Sequence, residues 1–112
     1  MSAEDFAIEG ATLTVRTNLE AGREDELRRF CEQLLARPEP ELFIDLTAVD
    51  YIHSLSVGTL SYAWVEALNQ DKEISFIVSQ YVADVLERTG LSRVFTYKQA
   101  QGRQNRKGSA QS

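Results

Sequence analysis

The 112-residue sequence predicts a single α/β domain, a mixed sheet of four or five strands with helices packed mainly on one face. Three observations predict it. Two short apolar runs, "ELFIDL" and "EISFIVS", have the composition of buried strands. A helical repeat lies between them and a shorter one follows, and strand–helix–strand order implies right-handed crossovers and parallel pairing. The N-terminal segment alternates apolar and polar residues instead, which is the pattern of an antiparallel hairpin.

In chain order, "FAIEGATLTVR" places Phe6, Ile8, Leu13 and Val15 at period 2 about Gly10, a hairpin with a glycine turn. In "AGREDELRRFCEQLLARPEP", Leu27, Phe30, Cys31, Leu34 and Leu35 make one helical face. Glu24, Asp25 and Glu26 complement the positive N-terminal end of that helix, and Pro38 and Pro40 lie past its finish. "ELFIDL" and "EISFIVS" are expected as strands covered on both faces. From about Ser56 to Gln70, Val57, Leu60, Trp64, Ala67 and Leu68 recur at helical spacing. A third helix spans about Tyr81 to Thr89, with Gly90 as its left-handed cap and Leu91 as the accompanying apolar contact. "VFTY" is expected as a final edge strand. The domain is assigned to residues 1–99, and residues 100–112, basic and polar, are expected to form a disordered tail.

Composition narrows the function. With 43% hydrophobic and 26% charged residues the chain can build a packed core. Residues 1–87 carry a net charge of −11 and the remainder +6, so the globular part lacks the clustered Lys and Arg of a nucleic-acid footprint. No apolar run reaches the roughly 18 residues of a membrane span and "MSAEDFAIEG" lacks the regions of a secretory signal, so a cytoplasmic location without membrane insertion is expected. One cysteine, Cys31, and one histidine, His53, cannot supply the usual four ligands of a metal site, and Cys31 is expected in the core. No dinucleotide or phosphate-loop motif is present, so no cofactor is expected.

The segment "DYIHSLSVGTL", Asp50–Leu60, carries the remaining chemistry. A triad from His53, Asp45 or Asp50, and Ser54 or Ser56 is disfavoured, because neighbours at one strand end do not generally face each other and no nucleophile elbow is present. The two aspartates are expected to make local turn hydrogen bonds. A serine entering a helix is foremost an N-cap, although the same free amides suit a phosphate. His53 is foremost a satisfied polar residue at the turn, with a pH-sensitive contact as the alternative. No group of residues suggests an enzyme.

Three stretches resemble the STAS domain of bacterial anti-sigma factor antagonists: "ELFIDLTAVDYIHSLSVGTL", "EISFIVSQYVADVLERTGLSRVF" and the N-terminal hairpin. The likeness runs from Phe6 to about Tyr97. It implies a non-enzymatic regulatory module that exchanges between protein partners, an anti-sigma factor or related serine kinase, in the control of transcription. The family's signature reads Asp, Ser, Ser or Thr, Gly, and its second hydroxyl residue is phosphorylated by the partner kinase. Aligned through Asp45, Asp50 and Gly58, this chain has His53, Ser54, Leu55 and Ser56 at those positions. The usual acceptor is thus a leucine, and phosphorylation could fall only on Ser54 or Ser56. The resemblance further implies a partner surface comprising His53, Ser54, Leu55, Ser56 and Thr59. The alternative is an accessory or scaffold subunit, such as those on phospholipid ABC transporters or in stress-sensing complexes. Self-association is left open by the sequence.

Overall fold

The structure, a computed structural model, describes residues 4–99. The tail assigned to residues 100–112 lies outside the described residues. The elements follow as β1 (Phe6–Glu9), β2 (Thr12–Val15), α1 (Glu24–Leu35), β3 (Glu41–Leu46), α2 (Ser54–Asn69), β4 (Glu73–Val78), α3 (Gln80–Thr89), a 3-10 turn (Leu91–Arg93) and β5 (Thr96–Gln99). The strands form one five-stranded sheet in sequential order. β1 and β2 pair antiparallel with Phe6 opposite Val15, and Gly10 in the turn sits at φ 60°, where glycine has no steric cost. β2, β3, β4 and β5 pair in parallel, with Leu13, Ile44, Phe76 and Tyr97 aligned across the sheet.

Sequential parallel strands joined by right-handed crossovers put every connecting helix on the same face. The burial of β3 and β4 records this. Leu42, Ile44 and Leu46 in β3, with Ile74, Phe76 and Val78 in β4, are buried under the helices, whereas Phe43, Asp45, Ser75 and Ile77 on the other face are half-buried. The expectation of strands covered on both faces is therefore corrected to coverage on one. The apolar runs arise because Phe43 and Ile77 occupy open-face positions.

Helix α1 buries Leu27, Cys31, Leu34 and Leu35, with Phe30 stacked on Phe6 at 5.0 Å between ring centroids. Helix α3 starts at Ser79, whose Oγ accepts from the Val82 amide (3.2 Å) and donates to the Val49 carbonyl (2.7 Å), and ends on Gly90 at φ 81°. The last strand begins two residues later than "VFTY" suggests. Phe95 is drawn inward by the 3-10 turn instead and stacks on Phe76 at 4.6 Å, with Trp64 tilted over it at 5.8 Å.

Helix α2 departs from expectation in two ways. It begins at Ser54, one half-turn before Ser56, and its buried line is Ser56, Leu60, Ala63 and Ala67. Small residues at 63 and 67 let its backbone approach α1 and the sheet closely, and Leu68, one position on and so about 100° around the helix, is turned out and 48% exposed.

Candidate functional site

The site is the entry to α2, at the end of the sheet where β3 finishes. Its supporting loop is held by main-chain contacts from the β2–α1 connection. The Leu19 amide donates to the Tyr51 carbonyl (2.9 Å) and the His53 amide to the Leu19 carbonyl (2.7 Å), and Leu19 and Ile52 form a parallel bridge. The Asn18 Oδ1 accepts from the Asp50 amide (2.8 Å). At the strand end, Asp45 Oδ1 accepts from the amide (2.9 Å) and the hydroxyl (2.7 Å) of Thr47, the local turn bond expected of it. For Asp50 the corresponding role falls to Asn18, which bonds its main chain from the neighbouring loop.

His53, and not a serine, is the N-cap of α2. It sits in extended geometry (φ −75°, ψ 150°), and its Nδ1 accepts from the Leu55 amide at 3.2 Å. Nδ1 must then carry a free lone pair, which places the ring proton on Nε2. The expectation that a serine near position 56 caps the helix is corrected accordingly. An imidazole lone pair can satisfy an orphan helix amide as a hydroxyl does, without bringing the negative charge of an aspartate. One turn later, Thr59 Oγ1 donates to the Leu55 carbonyl at 3.2 Å. Both main-chain groups of Leu55 are thus tied by side chains, one from each side, and its own side chain projects outward with 57% exposure.

The five residues proposed from sequence do not share one surface. Ser54 and Leu55 are exposed, while His53 and Thr59 are partly buried by the bonds they make to Leu55. Ser56 points the other way and is fully buried, and its Oγ has no hydrogen-bond partner among the described residues. Its position four residues before inward Leu60 is the signal that could have shown this.

Tyr51 is the residue that sequence reasoning missed. It is 43% exposed beside the helix entry, and its ring lies 6.4 Å from that of Tyr81, whose hydroxyl accepts from the Ile52 amide at 3.4 Å. The clue is alternation, since an extended segment that buries Ile52 turns Tyr51 outward. The triad geometry is not formed here. The His53 Nδ1 lone pair is committed to the Leu55 amide, Ser56 lies in the core, and Asp45 is engaged with Thr47. What the arrangement offers is a rigid exposed leucine at the positive end of a 16-residue helix, with a free hydroxyl, Ser54, before it and a tyrosine beside it.

Comparison with known proteins bears on the family and the fold. The model of the STAS domain family matches residues 7–103. Among solved structures, the chain is similar to an anti-sigma factor antagonist from Mycobacterium paratuberculosis, with a TM-score of 0.66 and 20% sequence identity, over 87% of this chain and 89% of that one. No curated protein matches the sequence.

Proposed function

The chain belongs to the STAS domain family, and from that premise we propose that it is a non-enzymatic protein-binding module that docks through Leu55 and its surroundings onto an anti-sigma factor or related serine kinase. The observation that carries this reading is the exposure of Leu55, 57%, at the family's acceptor position, with its backbone clamped by His53 and Thr59. An exposed leucine held on a fixed backbone loses little freedom on docking and gains by desolvation.

A hydroxyl at this place lets a kinase add charge and end the contact; a leucine removes that option. The docking state is therefore permanent unless Ser54 serves as a displaced acceptor. Ser54 is exposed in the first turn of α2, where free amides and the helix dipole favour a phosphate. Ser56 cannot be reached by an enzyme without unpacking the helix start.

The test is a pull-down from native lysate with the full chain and its Leu55→Asp variant as baits, followed by mass spectrometry of partners and bait. An ATP-binding serine kinase of the anti-sigma type should be retained by the first and lost by the second, since a charge desolvated at the centre of an apolar contact costs at least about tenfold in affinity. Any phosphate should map to Ser54. Equal retention by both baits, with Leu55→Asp folded, would remove Leu55 from the interface. Recovery of an ABC ATPase or other STAS proteins would replace partner exchange with a scaffold role.

A further inference from the structure

At the opposite end of α2 the chain presents a second surface. An open groove of about 710 Å³ is lined by Pro40, Phe43 and Leu68, with Glu39, Glu41, Asp71 and Glu73 around it. Leu68 is 48% exposed, so the groove has an apolar floor as well as an acidic rim. Leu55 and Leu68 are thirteen helical steps apart, about 20 Å at 1.5 Å per residue, so the two surfaces share no residue.

The rim is charged at a cost to the fold. Glu41 and Glu73 are direct partners across β3 and β4, and like charges facing each other on adjacent strands repel. Among the described residues, none of the four carboxylates has a salt-bridge partner. Lys72, which lines the same groove, points its ammonium inward, where it donates to the carbonyls of Leu35 (2.8 Å) and Arg37 behind α1. Glu73 receives only a hydroxyl bond, from Thr96 Oγ1 at 3.2 Å. One carboxylate oxygen of Glu39, Oε1, is buried with no hydrogen-bond partner among the described residues. A neutral glutamine at Glu41 or Glu73 would keep the strand pairing without this repulsion. Unrelieved charge beside exposed leucine is the complement of a cationic and partly apolar ligand.

We infer that this groove is a docking site for a basic segment of a partner protein, one whose Arg or Lys residues alternate with aliphatic ones. The arginines or lysines meet Glu39, Glu41, Asp71 and Glu73, and the aliphatic residues cover Leu68 and Phe43. A bare metal ion does not fit, because among the described residues no three potential ligands converge. A polyamine would leave the apolar floor uncovered.

The probe is a synthetic peptide of about ten residues alternating Arg and Leu, titrated into the ¹⁵N-labelled full chain, with the Glu-for-Arg peptide as control. Shifts should appear at the amides of Glu41, Phe43, Leu68, Asp71 and Glu73, weaken as salt is raised, and be absent with the acidic peptide. The paired substitution Glu41→Gln and Glu73→Gln should weaken binding by about tenfold while raising Tm by about 2 °C, because it removes a repulsion that only a ligand relieves. Leu55→Asp should leave this binding unchanged, which separates the site from the one at the start of α2. Equal response to both peptides, or loss of stability in the glutamine variant, would overturn the inference. So would shifts at these amides in the full chain without peptide when Arg103, Arg106 and Lys107 are changed to Glu, since the occupant would then be the chain's own basic end.

Discussion

Ser56 illustrates how one side chain can limit both stability and modification. Among the described residues it is the only polar one that is buried, and its Oγ lacks a partner. An unpaired buried hydroxyl costs about 1–3 kcal/mol, and alanine is also the better helix former. Ser56→Ala is accordingly expected to raise the unfolding free energy by about 1 kcal/mol in a urea titration. Unchanged or lowered stability would show that the hydroxyl is satisfied in solution. A phosphate there would require the line Ser56, Leu60, Ala63 and Ala67 to leave the core, whereas one on exposed Ser54 would leave that line in place. Leu55 completes the contrast. Its exposed side chain is apolar, and the hydroxyl one position on is sealed.

The caps of α2 and α3 show what the sequence disclosed about the elements and what it withheld. Gly90 was legible as a C-cap because only glycine takes φ near 81° without strain and Leu91 follows it. The strands were legible from their β-branched and aromatic runs, but their two faces were not. Phe43 and Ile77 made open-face positions look like core, because an apolar side chain in a sequence does not say which face it serves. His53 was hidden as a cap because an imidazole accepts only in one tautomer, which the fold selects. Leu55 stands out in the sequence only through likeness to a family motif, and Tyr51 only through its alternation with buried Ile52. Ser79 was hidden for another reason: its second bond, to the Val49 carbonyl, comes from a segment 30 residues away. That bond ties α3 to the loop before the candidate site. Ser79→Ala removes the cap and orphans a partly buried carbonyl, with an expected loss of about 1–2 kcal/mol. Hydrogen exchange should accelerate at Val82 and in the 47–53 loop; acceleration at Val82 alone would mean that the loop is held by Asn18 and Leu19 without help from α3.

For the molecule as a whole, α2 acts as a strut between two differently built ends, an exposed apolar side chain at Leu55 and an acidic groove beyond Leu68, and both depend on one continuous core. Cys31 sits in that core with no exposure, between α1 and the sheet. Burial, with a smaller contribution from the charge of Glu32, pushes its thiol up to about 12. In the unfolded chain a cysteine ionises near 8.5. The folded state therefore keeps a proton that the unfolded state releases, so the stabilisation is complete below about pH 8.5 and is lost as pH rises toward 12. Across that window the unfolding free energy should fall by up to about 1.4 kcal/mol per pH unit on account of this one group. Tyr97 is also raised, by desolvation first and then by the charge of Glu87, and its effect runs in the same direction. The comparison that isolates the thiol is therefore Cys31→Ala against the parent chain, each carrying Tyr97. At pH 7 the alanine variant should be the less stable, by about 1 kcal/mol, for the atoms removed from the core. Between about pH 9 and 11 its stability should decline less steeply, so that the two urea midpoints converge. Parallel curves would mean that Cys31 ionises in the folded protein as readily as in the unfolded one, and that the core beneath α1 admits water.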